Sequence, residues 1–234
     1  MFNNMLMGAA GESIKSTGGF QVNNSAMFDF ASAEYLKRTP TTAGNRRTWT
    51  WSGWVKRSGL GNPGGPNTSH DLFGVGAGSR LRFTSGDALR LESPSGNHTF
   101  ITTQVFRDPH AWYHIVLAFD STQTNERNRR KLYVNGSQVT DFSSTTFTEL
   151  GQNAEWNINS TSEHQIAKSN LADYFGGYLA EVVLVDGSAL GPTSFGETDD
   201  NGVWRPISIE DAGLTFGTNG FYLPFTTSAG LGQD

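Results

Sequence analysis

Cysteine is absent from the 234-residue chain, which excludes disulfides and thiolate metal sites and leaves the fold to its apolar core. No segment approaches the ~20 apolar residues of a membrane span. The apolar start Met1-Phe2-Asn3-Asn4-Met5-Leu6-Met7 lacks the basic n-region and long h-region of a secretion signal. Long Ala/Leu/Glu/Lys stretches are also missing. No window carries apolar residues at three- and four-residue spacing over ten or more positions, so the pattern predicts almost no helix. Basic charge is scarce relative to acidic: the net charge is −5, which argues against nucleic acid as the main partner.

What is abundant is turn and strand chemistry. The 28 glycines suit a chain with many tight turns that need positive φ. Apolar and polar residues alternate in short runs broken by Gly, Pro, Asn and Asp. Met27, Phe28 and Phe30 with Tyr35 and Leu36 suggest a first strand pair closed by Pro40. Thr48–Arg57 alternates large and small residues and predicts a strand; residues 58–69, rich in Gly and Pro, predict a loop. Further strands are expected at 71–76, 80–84, 88–93, 98–105, 112–120, 130–136, 138–142, 163–168 and 177–186. The segment 130–136 ends in Asn135-Gly136, a strong hairpin signal. About a dozen short strands with no alternating helices predict an all-β sandwich or barrel. The expected organisation is an N-terminal arm over residues 1–25, a β-sandwich over 26–200, and a C-terminal extension over 201–234 that packs on the sandwich or on a neighbour. For the arm, a loose terminus is the competing reading; the apolar Phe2, Met5, Leu6 and Met7 favour an anchor that docks on another subunit.

Three ordered segments carry a family likeness. Trp51-Ser52-Gly53-Trp54-Val55-Lys56 comes first. Trp112-Tyr113-His114-Ile115-Val116-Leu117-Ala118-Phe119-Asp120 follows, with Lys131-Leu132-Tyr133-Val134-Asn135-Gly136 behind it. Phe175-Gly176-Gly177-Tyr178-Leu179-Ala180-Glu181-Val182-Val183-Leu184 closes the set. Together, over about residues 27–190, they resemble the laminin-G-like members of the concanavalin A-type lectin/glucanase superfamily. The resemblance implies a two-sheet antiparallel jelly-roll sandwich. Residues 35–57, and 186–197 continuing through Gly202-Val203-Trp204-Arg205-Pro206 to Gly217-Thr218-Asn219-Gly220-Phe221-Tyr222-Leu223-Pro224-Phe225, are similar to structural proteins of tailed bacteriophages.

A glucanase of this kind would need alternating carboxylates on one strand, as in Glu-x-Asp-x-(x)-Glu. No such run occurs, and the acidic clusters Glu197/Asp199/Asp200 and Glu210/Asp211 read as solvated turns. His70, His98, His110, His114 and His164 form no metal-binding spacing. No cofactor is indicated. Calcium is left open by the fold resemblance, with Asp120, Asp173 and Asp186 at strand ends as oxygen donors but no pattern that fixes them. Gly74-Val75-Gly76-Ala77-Gly78 lacks the following helix of a phosphate loop and reads as a tight turn. Two features remain for contact with a partner or glycan. One is the basic run carrying Arg127, Arg129 and Arg130; the other is Trp156, expected to be exposed where Trp54 and Trp112 are expected in the core.

The chain is therefore expected to be non-enzymatic. The resemblance implies a virion component, a tail fibre, capsid fibre or decoration protein, synthesised in the bacterial host cytoplasm. It would dock on other virion proteins and on copies of itself, with a homotrimer as the analogous assembly. The alternative is a carbohydrate-binding adhesin for a host surface glycan, which predicts an exposed aromatic beside Asn or Asp. A glycan hydrolase comes third.

Overall fold

The computed structural model describes residues 19–61, 69–76, 78–93, 99–143, 150–169 and 173–226. The anchor candidates Phe2, Met5, Leu6 and Met7 lie outside the described residues. Within them the chain forms β1 (Ala26–Phe28), β2 (Leu36–Arg38), β3 (Thr48–Arg57), β4 (His70–Val75), β5 (Ser79–Phe83), β6 (Ala88–Glu92), β7 (Phe100–Val105) and β8 (Tyr113–Asp120). It continues with β9 (Arg130–Val134), β10 (Ser137–Gln138), β11 (His164–Ile166), β12 (Gly177–Asp186), β13 (Gly196–Thr198), β14 (Trp204–Pro206) and β15 (Phe221–Leu223). Two short 3-10 turns, Glu126–Asn128 and Pro192–Ser194, are the helical pieces among the described residues.

The strands build an antiparallel jelly-roll sandwich. One sheet runs β1-β12-β3-β8-β9-β10, with β15 also paired to β12; the facing sheet runs β2-β11-β4-β5-β6-β7. β1 pairs with residues 177–179 and β15 with 182–184, so the two lie end to end along one edge of β12. Between them the β3–β12 register shifts, and Glu181 takes φ +49°, a bulge that re-aims one side chain and bends the strand. The expected pairing of β1 with β2 does not form: β1 joins β12, and β2 joins β11 in the other sheet. The intervening turn, where the Asp29 carboxylate accepts from Ala31 N at 2.9 Å and Ala33 sits at φ +56°, carries the chain across the sandwich instead of folding it back.

The two-residue period of each strand assigns the faces. On β3, Trp49, Trp51 and Val55 point into the space between the sheets; so do Ile115, Leu117 and Phe119 on β8 and Leu179, Val182 and Leu184 on β12. They meet Phe73, Leu81, Phe83, Leu89, Leu91 and Phe100 from the facing sheet. The other face of the same strands is apolar too. Val116, Val183 and Val185 project there, and Phe195 and Ile209 cover them, with Tyr133, Leu190, Leu214, Phe216 and Tyr222 around the rim. Burying Phe195 and Ile209 contributes about 1.5–3 kcal/mol each. The covering layer is the segment after β12: the β13–β14 hairpin, the coil that follows, and β15. β15 also sends Phe221 and Leu223 into the main core.

Asp186, at the end of β12, ties this layer down. Its carboxylate accepts from Asn45 N at 2.7 Å, Asn159 Nδ2 at 3.0 Å and Asn219 N at 3.0 Å. Its own backbone N–H reaches Phe216 O at 2.8 Å. Asn219 Nδ2 then donates to Thr42 O at 2.9 Å. One buried carboxylate thus joins three loops that are far apart in the chain, satisfying N–H groups that would be costly to bury unpaired.

The β9–β10 hairpin turns on Asn135 (φ +47°) and Gly136 (φ +80°), the two positive φ values of a type I′ turn. A Cβ at Gly136 would lie 2.4 Å from Trp204 Cε3, so glycine is needed for close approach as well as for conformation. Gly136→Ala is expected to destabilise the chain by about 2 kcal/mol or more, since backbone strain and overpacking add. Urea unfolding monitored by tryptophan fluorescence measures it, and an unchanged midpoint would contradict this packing.

Candidate functional site

The outer layer builds a stack of aromatic rings beside an open cleft. Trp54 is an outward-facing β3 residue, paired in register with His114 on β8 and Ala180 on β12. The His114 ring stacks on Trp54, 4.8 Å away at 20°, and the Trp204 indole lies near-parallel to it with centroids 5.9 Å apart at 21°. Trp204 Nε1 lies 2.9 Å from His114 Nδ1 and Ser52 Oγ lies 3.0 Å from His114 Nε2. An indole N–H can only donate; Nδ1 therefore carries the lone pair, and Nε2–H donates to Ser52. Burial drives the His114 pKa down to about 3, so the imidazole is neutral. Ring stacking and two hydrogen bonds hold this site rigid.

Next to the stack is a cleft of about 280 Å³ lined by residues 22–25, Trp54, Trp112, Ala180 and Pro206. Trp112 precedes β8 by one residue and keeps 36% of its surface exposed, and Trp54 is half-buried. Both were expected in the core. The odd-numbered positions of β3 face inward, which places Trp54 outside, while Trp112 stops short of the covered part of its strand. Among the described residues, no charged side chain lines the cleft.

The other expected contact residues behave differently. Trp156 is 1% exposed, so it is not the exposed contact read from its loop sequence. It closes one end of the core, with ring centroids 5.0 Å from Phe119 and 6.2 Å from Trp49. The basic run is not a solvated cationic patch either. Arg129 is buried and donates to Gln123 O, Thr124 O and Leu150 O. Arg130 is buried and pairs with Glu126 at 2.8 Å. Of the three arginines, Arg127 alone remains exposed. Lone carbonyls of a turn recruit buried guanidinium donors, and sequence order alone does not reveal that demand.

Asp120, Asp173 and Asp186 are not gathered into a common site. Asp120 accepts from Thr122 and Gln123, Asp173 pairs with Arg80 at 3.1 Å, and Asp186 accepts from three N–H donors. Oxygens already facing N–H groups and a guanidinium do not fit a calcium ion, which needs six to eight oxygen ligands turned toward it. Among the described residues no three His, Asp or Glu side chains converge in a metal-binding arrangement.

The facing sheet holds a cluster that sequence reading missed. On the side of β5 and β6 away from the core, Arg80 bonds Asp71 (3.5 Å), Glu92 (3.0 Å) and Asp173 (3.1 Å), while Arg82 and Arg90 also reach Glu92. Burial lifts the Asp71 pKa to about 6 against the pull of Arg80. The alternation Arg80-Leu81-Arg82 and Arg90-Leu91-Glu92 was the available signal: charge every second residue marks one face of a strand.

Residues 30–193 match the family model described as the concanavalin A-like lectin/glucanases superfamily, in its Laminin_G_3 member. No curated protein matches the chain. Among solved structures, a heptameric SAP-like pentraxin from Limulus polyphemus is 16% identical, with 67% of this chain and 70% of that one covered and a TM-score of 0.43. Mouse laminin alpha1 domains LG4-5 are 9% identical, with 88% of this chain and 48% of that one covered and a TM-score of 0.46. Trypanosoma rangeli sialidase is 17% identical with a TM-score of 0.42, and this chain spans 21% of its length.

Three histidines dominate the expected acid response. Burial lowers the pKa of His70 to about 4, of His114 to about 3 and of His164 to about 4. Each therefore takes up a proton on unfolding between those values and its unfolded pKa near 6.5. Their contribution is fully present above about pH 6.5 and is lost as pH falls toward 4, by about 1.4 kcal/mol per pH unit for each histidine. Asp71, raised to about 6, opposes this with one proton released on unfolding. Denaturant titrations from pH 4.5 to 7.5 are expected to show stability rising with pH. A flat or falling profile would contradict the buried neutral histidines.

Proposed function

The chain belongs to the concanavalin A-like lectin/glucanase superfamily, and on that premise we propose that it is a non-enzymatic structural component of a tailed-bacteriophage virion, a tail fibre, capsid fibre or decoration protein. The observation that carries this reading is the layer added beyond the matched family region. The two stretches similar to phage structural proteins, 35–57 and 186–225, meet in the fold. Trp54 of one stacks on His114 and Trp204 of the other donates to its Nδ1, and Asp186 links Asn45 to Asn219. The product is a braced body suited to display and to docking on other virion proteins and on copies of itself. The carboxylates on the outer side of the facing sheet support a role without catalysis. Asp71 and Asp173 are buried against Arg80, where glycoside hydrolysis needs two carboxyls flanking an accessible bond.

A second reading, carbohydrate recognition, is favoured by one observation: the exposed face of Trp112 beside Asn23 and Asn24.

Light scattering on the full chain and on a chain lacking residues 1–18 tests the first reading. It expects a defined oligomer, with a trimer as the analogous state, that falls to a monomer when those residues are removed. A monomer in both cases would overturn assembly through the N-terminal segment.

A further inference from the structure

We propose that the cleft between Trp54, Trp112 and residues 22–25 binds a neutral sugar, one pyranose ring stacked on indole and hydrogen-bonded by Asn23 and Asn24. This rests on the carbohydrate reading above and assigns it a place and a ligand class. The cleft, about 280 Å³, lies at the small end of ligand pockets. Its wall has the mixed character that a sugar requires. The axial C–H groups of a pyranose present weakly positive hydrogens, which suit the negative face of an indole. The equatorial hydroxyls need donors and acceptors around the edge. The side-chain amides of Asn23 and Asn24 and the indole N–H groups of Trp54 and Trp112 make no hydrogen bond within the described residues. Four residues lining one small cleft thus carry polar groups with no partner among the described residues.

Charge selects among sugars. Among the described residues no ionised side chain lines the cleft, and the His114 ring behind Trp54 is held neutral by burial. Behind Asn23 and Asn24, in an adjoining hollow, stand Glu181, Glu210 and Tyr222. An anionic sugar would meet negative charge from that side and no arginine or lysine among the described residues that line the cleft. Preorganisation adds to affinity: Trp54 is fixed by its stack on His114, which is fixed in turn by Trp204 and Ser52. Residues 22–25 and Pro206 lie outside the matched family region 30–193, while Trp54, Trp112 and Ala180 lie within it, so one wall of the cleft is a feature of this chain beyond the shared sandwich.

Ligand-observed saturation-transfer NMR on the full chain tests the assignment. The probes are the methyl glycosides of glucose, galactose, mannose, rhamnose and N-acetylglucosamine, with glucuronic and N-acetylneuraminic acids as anionic arms and a peptide of residues 1–12 as a non-sugar competitor. The proteins are the parent chain, Trp112→Ala and Asn24→Ala, each checked for an unchanged unfolding midpoint. At least one neutral glycoside is expected to bind, with transfer strongest at ring C–H protons, and Trp112→Ala is expected to weaken it about tenfold or more. Neutral-sugar binding that survives in Trp112→Ala would overturn the site while leaving the carbohydrate reading standing. Binding of the acids alone would overturn the neutral class. Transfer to the peptide and to no sugar would reassign the cleft to the chain's own N-terminal segment. Binding of none of the probes would overturn both the site and the carbohydrate reading.

Discussion

β8 and β12 are apolar on both faces, and most of the architecture follows from covering them. A strand with Ile115, Leu117 and Phe119 on one side and Val116 on the other cannot leave either side in water without losing the burial that stabilises it. The facing sheet covers one side. Residues 188–225 cover the other, and they do it by building a hairpin, a coil and a final strand that returns to the edge of β12. Asp186 stands where this layer leaves the sheet and bonds the loops on both flanks. The Glu181 bulge makes room for β1 and β15 on the same edge. Burial keeps Glu181 above the usual carboxylate range, and Tyr222 donates to it at 2.5 Å.

The cleft is a by-product of the same constraint. Where the covering layer stops, beyond Pro206, the outer face of the sheet opens at Trp54, and the chain segment entering β1 forms the opposite wall. The boundary between covered and open sheet therefore gathers indole faces and asparagine amides. His114 marks that boundary: a polar ring at a buried position, acceptable because both nitrogens are paired and Trp54 stacks on the ring.

Much of the fold was legible in the sequence because strand period and turn chemistry are local. Thr48–Arg57 and Gly177–Asp186 form strands over the expected residues, and Asn135-Gly136 makes the expected turn. Segment 112–120 carries apolar residues at consecutive positions, which calls for cover on both faces without saying what supplies it. What sequence order hides is which side of the sheet a residue meets. Trp54, an even-numbered residue of β3, faces the open end of the outer layer, while Trp156, in a loop with no strand period to place it, seals the core beside Phe119. Arg129 and Arg130 read as a solvated basic run because residue order does not show that the turn before them folds its own Gln123 and Thr124 carbonyls and the Glu126 carboxylate back onto them. The Trp54–His114–Trp204 stack joins residues 54, 114 and 204, a separation at which no local signal survives.

The central claim is that the sandwich and its covering layer fold as one unit. The most direct measurement compares thermal unfolding, near-ultraviolet circular dichroism and dye binding for the full chain and for a chain ending at residue 195, just beyond the matched family region. The shorter chain is expected to lose its cooperative transition and its near-ultraviolet signal and to bind a hydrophobic dye, because Val116, Val183 and Val185 are uncovered and β15 is gone. A shorter chain that unfolds cooperatively near the parent midpoint would contradict it.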